Sequence, residues 1–201
     1  MALERQNIVE TALALLEGEG LEGLTMRRLA DALQVQAPSL YWHFPGKQAL
    51  LDDMADALLA DVAVSNEPGI PYRATLRRLA NELRVAFSTH RDGAQLFASS
   101  FVQRENGHRL AAAIVAALTQ AGFDTPVAKK IEATLFQYVL GFVLAEQAAA
   151  RHHEANDLDI AADDQPDFAF GLDLIVIGIG EPPLKNVDKV NEFMRALRAM
   201  D

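Results

Sequence analysis

Apolar residues recur along this chain at three- and four-residue spacing rather than in alternation, so the pattern predicts helices throughout. The first predicted helix, Leu3 to Gly18, places Ile8, Ala12, Leu15 and Leu16 on one face. Gly18 and Gly20 end it, which leaves Leu21 and Leu24 to cover a small core. Met26, Leu29, Ala30 and Leu33 mark a second helix, with Thr25 placed as its N-cap. After Gln34-Val35-Gln36, Pro38 fits the first turn of a short third helix set steeply against the second, which makes the pair a helix-turn-helix. A fourth helix begins near Lys47 and carries Leu50, Leu51, Met54, Leu58 and Val62. It stops in the breaker-rich stretch from Ser65 to Pro71.

Beyond that stretch, Leu76, Leu79, Leu83 and Phe87 form the stripe of a helix from Tyr72 to His90, with Arg73, Arg77, Arg78 and Arg84 largely outside it. His90-Arg91-Asp92-Gly93 turns the chain into a short apolar piece with Leu96, Phe97 and Phe101. His108 to Ala121 is a further helix closed by Gly122. Asp124 or Thr125 caps the next, whose Ile131, Leu135, Tyr138 and Phe142 make a long stripe, and Gly141 permits close helix contact. Residues 151 to 167 turn polar and predict a surface loop. Leu174 to Ile179 has strand-like composition, yet Phe168, Leu172, Ile175 and Ile179 keep helical spacing and no partner strand is evident, so a buried helix is predicted from Phe168 to Gly180. After Glu181-Pro182-Pro183, a last amphipathic helix carries Val187, Val190, Phe193, Met194 and Leu197. The fold class is all-α: a three-helix domain with a helix-turn-helix over residues 1–46 and a larger helical domain over 47–201.

Composition narrows the picture. A length of 201 residues with 50% hydrophobic content allows a sizeable core in one large or two small domains. No cysteine occurs, so disulfide and thiol chemistry are excluded. The N-terminus is polar after Leu3, and no apolar run approaches the roughly 20 residues of a membrane span, so a cytoplasmic protein without membrane association is expected. The net charge of −10 is awkward for a nucleic-acid binder, but it is unevenly spread. Between Thr25 and Gln48 the cations are Arg27, Arg28 and Lys47 against the single acid Asp31, while acids crowd into Glu4 to Glu22 and Glu154 to Asp167. Local positive charge survives, sparse enough that useful binding calls for two copies acting together.

Residues 37 to 47 read as the recognition element. Short Ala37 and Ser39 let the backbone approach a groove, while Tyr41, Trp42, His43 and Lys47 reach phosphates and sugars. Leu40 and Phe44 are assigned to the core. The plainer alternative makes Tyr41 and Trp42 core residues of a small helical domain as well. Pro38-Ser39-Leu40-Tyr41-Trp42-His43-Phe44 with Lys47 closely resembles the signature of the TetR family of transcriptional regulators. The likeness extends upstream through Glu22 to Ala30 and downstream through Ala49 to Asp52. Weaker likenesses to the tetracycline-repressor branch lie in Arg91 to Ala94, Ala121-Gly122-Phe123 and Leu140 to Leu144. The DNA-binding set is then Thr25, Arg27, Arg28, Ala37, Pro38, Ser39, Tyr41, Trp42, His43 and Lys47.

The apolar helices near 126 to 150 and 168 to 180 bear more apolar surface than so short a chain covers alone, which predicts packing against a second subunit. The resemblance implies the same: a homodimer through a four-helix bundle, with recognition helices about 34 to 36 Å apart on a palindromic double-stranded DNA operator. It also implies a repressor released by a small-molecule effector, with the helix at 47 to 63 as a lever.

For the effector, Phe87, Phe97, Phe101, Phe136 and Tyr138 surround the centre of the larger domain, either as plain core or as the lining of a cavity. Gln137, Ser100, His90 and Glu146 are its polar candidates. Alignment through Arg91 to Ala94 with the tetracycline branch puts Phe97 at the metal-binding histidine and Ala145 at the second metal-associated acid. Leu79 and Leu83 fall at polar drug contacts, and Ile114 and Gln137 remain contacts. These departures imply a hydrophobic effector bound without metal, and no cofactor. The effector set is Leu79, Leu83, Phe87, Phe97, Ser100, Phe101, Ile114, Gln137 and Tyr138. An enzyme reading has no anchor: His152-His153-Glu154 lacks the spacing that presents two metal ligands on one helix face, and no phosphate loop, Gly-x-Ser-x-Gly elbow or cysteine nucleophile occurs. The remaining alternative is a helical sensor or interaction protein that keeps this fold without binding DNA.

Overall fold

The computed structural model describes residues 3–64, 69–100, 104–156 and 167–181, and within them the chain is helical with no strand. Phe101, the acidic stretch 157–166 and the helix expected around Val187 to Leu197 lie outside the described residues. In order the helices are α1 (Arg5–Gly23), α2 (Met26–Ala32), α3 (Ala37–Tyr41), α4 (Lys47–Ala57), α5 (Tyr72–Ser88), α6 (Gly93–Ala98), α7 (Glu105–Ala121), α8 (Thr125–Asn156) and α9 (Phe168–Gly178).

α1 to α3 close around Ile8, Ala12, Leu16, Leu24, Leu29, Leu40 and Phe44, all at most 1% exposed. α1 runs through Gly18 and breaks at Gly20, whose φ of 69° only glycine holds without strain; the single turn to Gly23 follows the kink. α4 packs on α1 and on α6 and α7, and Leu50, Met54 and, just past its end, Leu59 are buried in one core continuous through the head and the larger part. It ends at Ala57, earlier than its apolar pattern predicts, because the backbone tightens to three-residue hydrogen bonds from Leu59 to Asp56, Ala60 to Ala57 and Val62 to Leu59.

α5 is the hub of the larger part, touching α6, α7, α8 and α9. Its predicted stripe of Leu76, Leu79, Leu83 and Phe87 is buried, and each such side chain contributes about 1.5–3 kcal/mol of transfer free energy. Its arginines reach across to neighbours: Arg73 to Glu181 at 2.9 Å, Arg77 to Asp173 at 2.6 Å and Arg84 to Glu146 at 2.5 Å. These pairs are partly exposed and orient helices more than they stabilise them. α8 continues six residues past Ala150 to Asn156, where composition predicts loop. The ambiguous segment from Phe168 is helix, as its spacing predicts, but it is buried on one face only: Phe168, Leu172 and Val176 face the core, while Phe170, Leu174 and Ile177 are exposed.

Candidate nucleic-acid interface and the helices behind it

The recognition element is built by what it buries. Thr25 caps α2 by accepting the Arg28 N–H on Oγ1 at 3.2 Å. Gln34 then turns the chain at φ 56°, and Val35 N–H returns to the Ala30 carbonyl at 3.0 Å. α3 starts after Gln36, with Ser39 N–H on the Gln36 carbonyl at 2.8 Å. Leu40 and Phe44 are fully buried, and this anchors five residues of helix with Tyr41 51% and Trp42 89% exposed. A tryptophan normally hides most of its surface in a monomer, so this one is free for a partner.

Around α3, Thr25, Arg27, Arg28 and Pro38 are exposed, and Ala37, Ser39, His43 and Lys47 half-buried. Not all the cations face outward freely. Arg28 pairs with Glu19 and donates to the Gly23 carbonyl at 3.2 Å, and Lys47 Nζ lies 3.5 Å from the Leu21 carbonyl. Arg5, which sequence patterning passes over, donates to Asp53 at 2.5 Å and to the His43 carbonyl at 2.6 Å, with its guanidinium 4.2 Å from the Phe44 ring centroid. It ties the start of α1 to the end of the recognition element. Its partners stand up to 48 residues away in sequence, so no periodicity announces it.

Two sets of contacts join this head to the body. Through α4, Gln48 Nε2 donates to the Ser99 carbonyl at 2.9 Å, and Asp53 pairs with Arg104 at 2.8 Å. Asp56 accepts from the backbone N–H groups of Asn106 at 3.3 Å and Gly107 at 3.1 Å, capping α7 from outside that helix. Arg109 in turn donates to the carbonyls of Leu59, Ala60 and Val62 at 3.0–3.3 Å, so the end of α4 is held from both sides. Through α1, Asp92 accepts the Leu21 N–H at 3.0 Å and pairs with Arg151 at 2.5 Å, and Glu17 meets His90 Nδ1 at 2.5 Å. Gln147 on α8 holds the α5–α6 turn by accepting from Ala94 N–H at 3.2 Å and donating to the carbonyls of Phe87 and His90 at 3.1 Å.

The residues assigned to an effector divide into two groups. Phe87 and Phe97 have ring centroids 5.0 Å apart, Phe97 and Phe136 5.2 Å, and Phe87 and Phe136 5.9 Å. Leu79, Leu83 and Ile114 lie buried in the same apolar cluster, and half-buried Ser100 closes α6 with its N–H on the Phe97 carbonyl at 3.0 Å. Tyr138 stands elsewhere: its ring stacks on Phe168 at 5.4 Å and its hydroxyl donates to the Phe168 carbonyl at 2.8 Å. Burial, with Asp167 nearby, pushes its phenol above the ordinary value of 10.0. Gln137 is exposed on the outer side of α8, and Glu146 is engaged by Arg84 and His90 by Glu17.

A short helix offered to the outside, braced by α4 against a larger helical body, defines a helix-turn-helix transcriptional regulator. Two family profiles match, "Bacterial regulatory proteins, tetR family" over residues 8–54 and "Tetracyclin repressor-like, C-terminal domain" over residues 66–162, and the chain belongs to the TetR family. It is similar to the tetracycline repressor protein class C of Escherichia coli, 34% identical over 93% of this chain and 99% of that one. Among solved structures it resembles the Q116A variant of TetR from Acinetobacter baumannii AYE in complex with minocycline, with a TM-score of 0.76 and 35% identity over 88% of this chain and 96% of that one. It also resembles BioQ with its double-stranded DNA operator, with a TM-score of 0.74 and 31% identity over 89% of this chain and 98% of that one. The likeness carried by Pro38 to Lys47 thus stands at the level of the family. No helix among the described residues is long and apolar enough to cross a membrane.

Proposed function

We propose that the protein is a cytoplasmic homodimeric repressor that grips a palindromic operator and is released by a small apolar effector bound without metal. The observation that carries this reading is the exposed Tyr41 and Trp42 on a helix pinned from beneath by fully buried Leu40 and Phe44. The second subunit is supported by α9, whose Phe170, Leu174 and Ile177 are 64%, 59% and 65% exposed, and by the exposed small residues Ala133, Gly141 and Ala145 along α8. The named activities of the relatives, repression, operator binding and minocycline binding, point the same way.

The hydrogen bonds of α4 supply the mechanism. Asp56 and Arg109 hold its end as a pivot, and Gln48, about 12 Å away along the helix, feels α6 through Ser99. An effector that displaces α6 swings α4 about that pivot and alters the spacing of the paired recognition helices. Taking the dimer from mostly bound to mostly free requires about 10⁴-fold tighter effector binding to the released form, or about 5.5 kcal/mol. Residues 1–46 act as the reading head and 47–201 as effector and dimer body, with no catalytic step. The test is a gel shift on duplexes that the protein itself selects from a random pool: retention as a dimer, weakened in Tyr41→Ala and Lys47→Ala, is expected. A strictly monomeric protein that selects no duplex overturns the proposal.

A further inference from the structure

Phe87, Phe97 and Phe136 do not yield equally to an incoming molecule. Phe87 is fully buried on the central helix α5, and Phe136 sits in the middle of the 32-residue α8. Phe97 is half-buried on α6, only six residues long and held by a handful of polar contacts: Gln147 on the Ala94 N–H at one end and Gln48 on the Ser99 carbonyl at the other. So short a helix has little stability of its own. Phe97 is therefore the least firmly held of the three rings, and it stands two residues before the carbonyl that Gln48 binds.

We propose that Phe97 is a displaceable plug: an uncharged aromatic effector takes its place against Phe87 and Phe136, and the shift of α6 pulls on α4 through the Gln48 to Ser99 hydrogen bond. This rests on the reading above that α6 relays an effector to α4. The ligand class follows from what the rings offer. The three rings pack on one another within the continuous apolar core that also holds Leu79, Leu83 and Ile114. The buried charged groups of the described residues already have partners, Asp52 in Gln48 and Asp92 in Leu21 and Arg151. An ion entering there loses its hydration with nothing in return, whereas a flat ring system regains stacking and edge contacts with two phenyl groups.

The experiment compares 2-naphthol with 2-naphthoate at pH 7, the same bicyclic ring without and with charge, by calorimetric titration of the full-length protein. 2-Naphthol is expected to bind wild type, with 2-naphthoate weaker by about tenfold or more. Phe97→Ala and Phe97→Leu are expected to bind 2-naphthol more tightly, by about tenfold for alanine, because no ring has to leave first. Equal or weaker binding by both variants, or equal binding of the two probes, overturns the plug. On a selected duplex, 2-naphthol is expected to release wild type but not Gln48→Ala, and release of both equally overturns the relay. A protein that selects no duplex sinks the operator reading alone, because the calorimetric comparison needs no DNA.

Discussion

The side chain of Asp92 accepts the backbone N–H of Leu21 at 3.0 Å across 71 residues of sequence, and so fastens the kink of α1 to the turn that opens α6. The carboxylate is 8% exposed and its other oxygen is held by Arg151, so α8, the α5–α6 turn and the reading head meet at one residue. The fit is tight, because a Cβ at Gly20 would lie 2.9 Å from the same carboxylate oxygen.

Asp92→Ala leaves a buried N–H and a guanidinium without their acceptor, and is expected to cost about 2 kcal/mol in urea unfolding. Gly20→Ala, strained at φ 69° and crowded against Asp92, is expected to cost about 1–2 kcal/mol. Both changes remove the same contact, so the double variant should lose clearly less than the sum of the singles. Additive losses would show that the two residues act separately.

Gln34 holds φ 56° in the turn between α2 and α3, a conformation that costs a residue with a Cβ about 1–2 kcal/mol. Gln34→Gly removes that strain but adds about 0.5–1 kcal/mol of chain entropy. A net gain of about 0.5 kcal/mol in urea unfolding is therefore expected, with affinity for a selected duplex unchanged. A loss of stability would mean that the glutamine side chain supports the turn.

Asp53 bridges Arg5 and Arg104 and is 14% exposed, while its partners are 46% and 36% exposed. Discounted for that exposure, Asp53→Asn should cost about 1–2 kcal/mol. Because Arg5 also holds the His43 carbonyl, duplex affinity should fall further than global stability accounts for, as read by anisotropy under conditions where the variant is fully folded. An affinity loss no larger than the unfolded fraction explains would reduce Arg5 to a structural role.

The hydroxyl of Tyr138 docks α9, and its pKa is raised above 10.0 chiefly by burial. A folded-state value above the unfolded one means that this contribution is complete below about pH 10 and is lost as pH climbs through the higher folded value. Thermal unfolding should show an alkaline decline that is smaller in Tyr138→Phe, with a remainder from Tyr72, whose phenol is raised in the same direction by burial. Identical alkaline profiles for wild type and variant would refute the assignment. Gly171→Ala tests the same joint sterically: the added Cβ would meet the Tyr138 oxygen at 2.3 Å, which predicts a loss of about 1–3 kcal/mol.

Periodicity revealed most of the helices because burial follows helical spacing. It read α9 rightly against the strand-like composition of Leu174 to Ile179. Its misses have physical reasons. The sign of φ is silent in sequence, so Gly20 rather than Gly18 carries the break in α1. Density of aromatics groups Phe136 with Tyr138 around one cavity, yet residues two apart on a helix point about 200° apart, and they serve different partners. The aromatics of the recognition element were legible from density and chemistry. The tethering of Arg28 by Glu19, Lys47 by Leu21 and Arg5 by Asp53 was not, because these partners are set by tertiary approach rather than by spacing along a helix.

Trp42 is the chain's single tryptophan and stands 89% in water on the recognition element. Indole emission from this protein therefore originates wholly at the reading head. Docking on duplex DNA would shift or quench it, while occupancy of the distant phenylalanine cluster would leave it nearly still. Operator engagement can thus be followed in unlabelled protein, with the molecule itself providing the lamp.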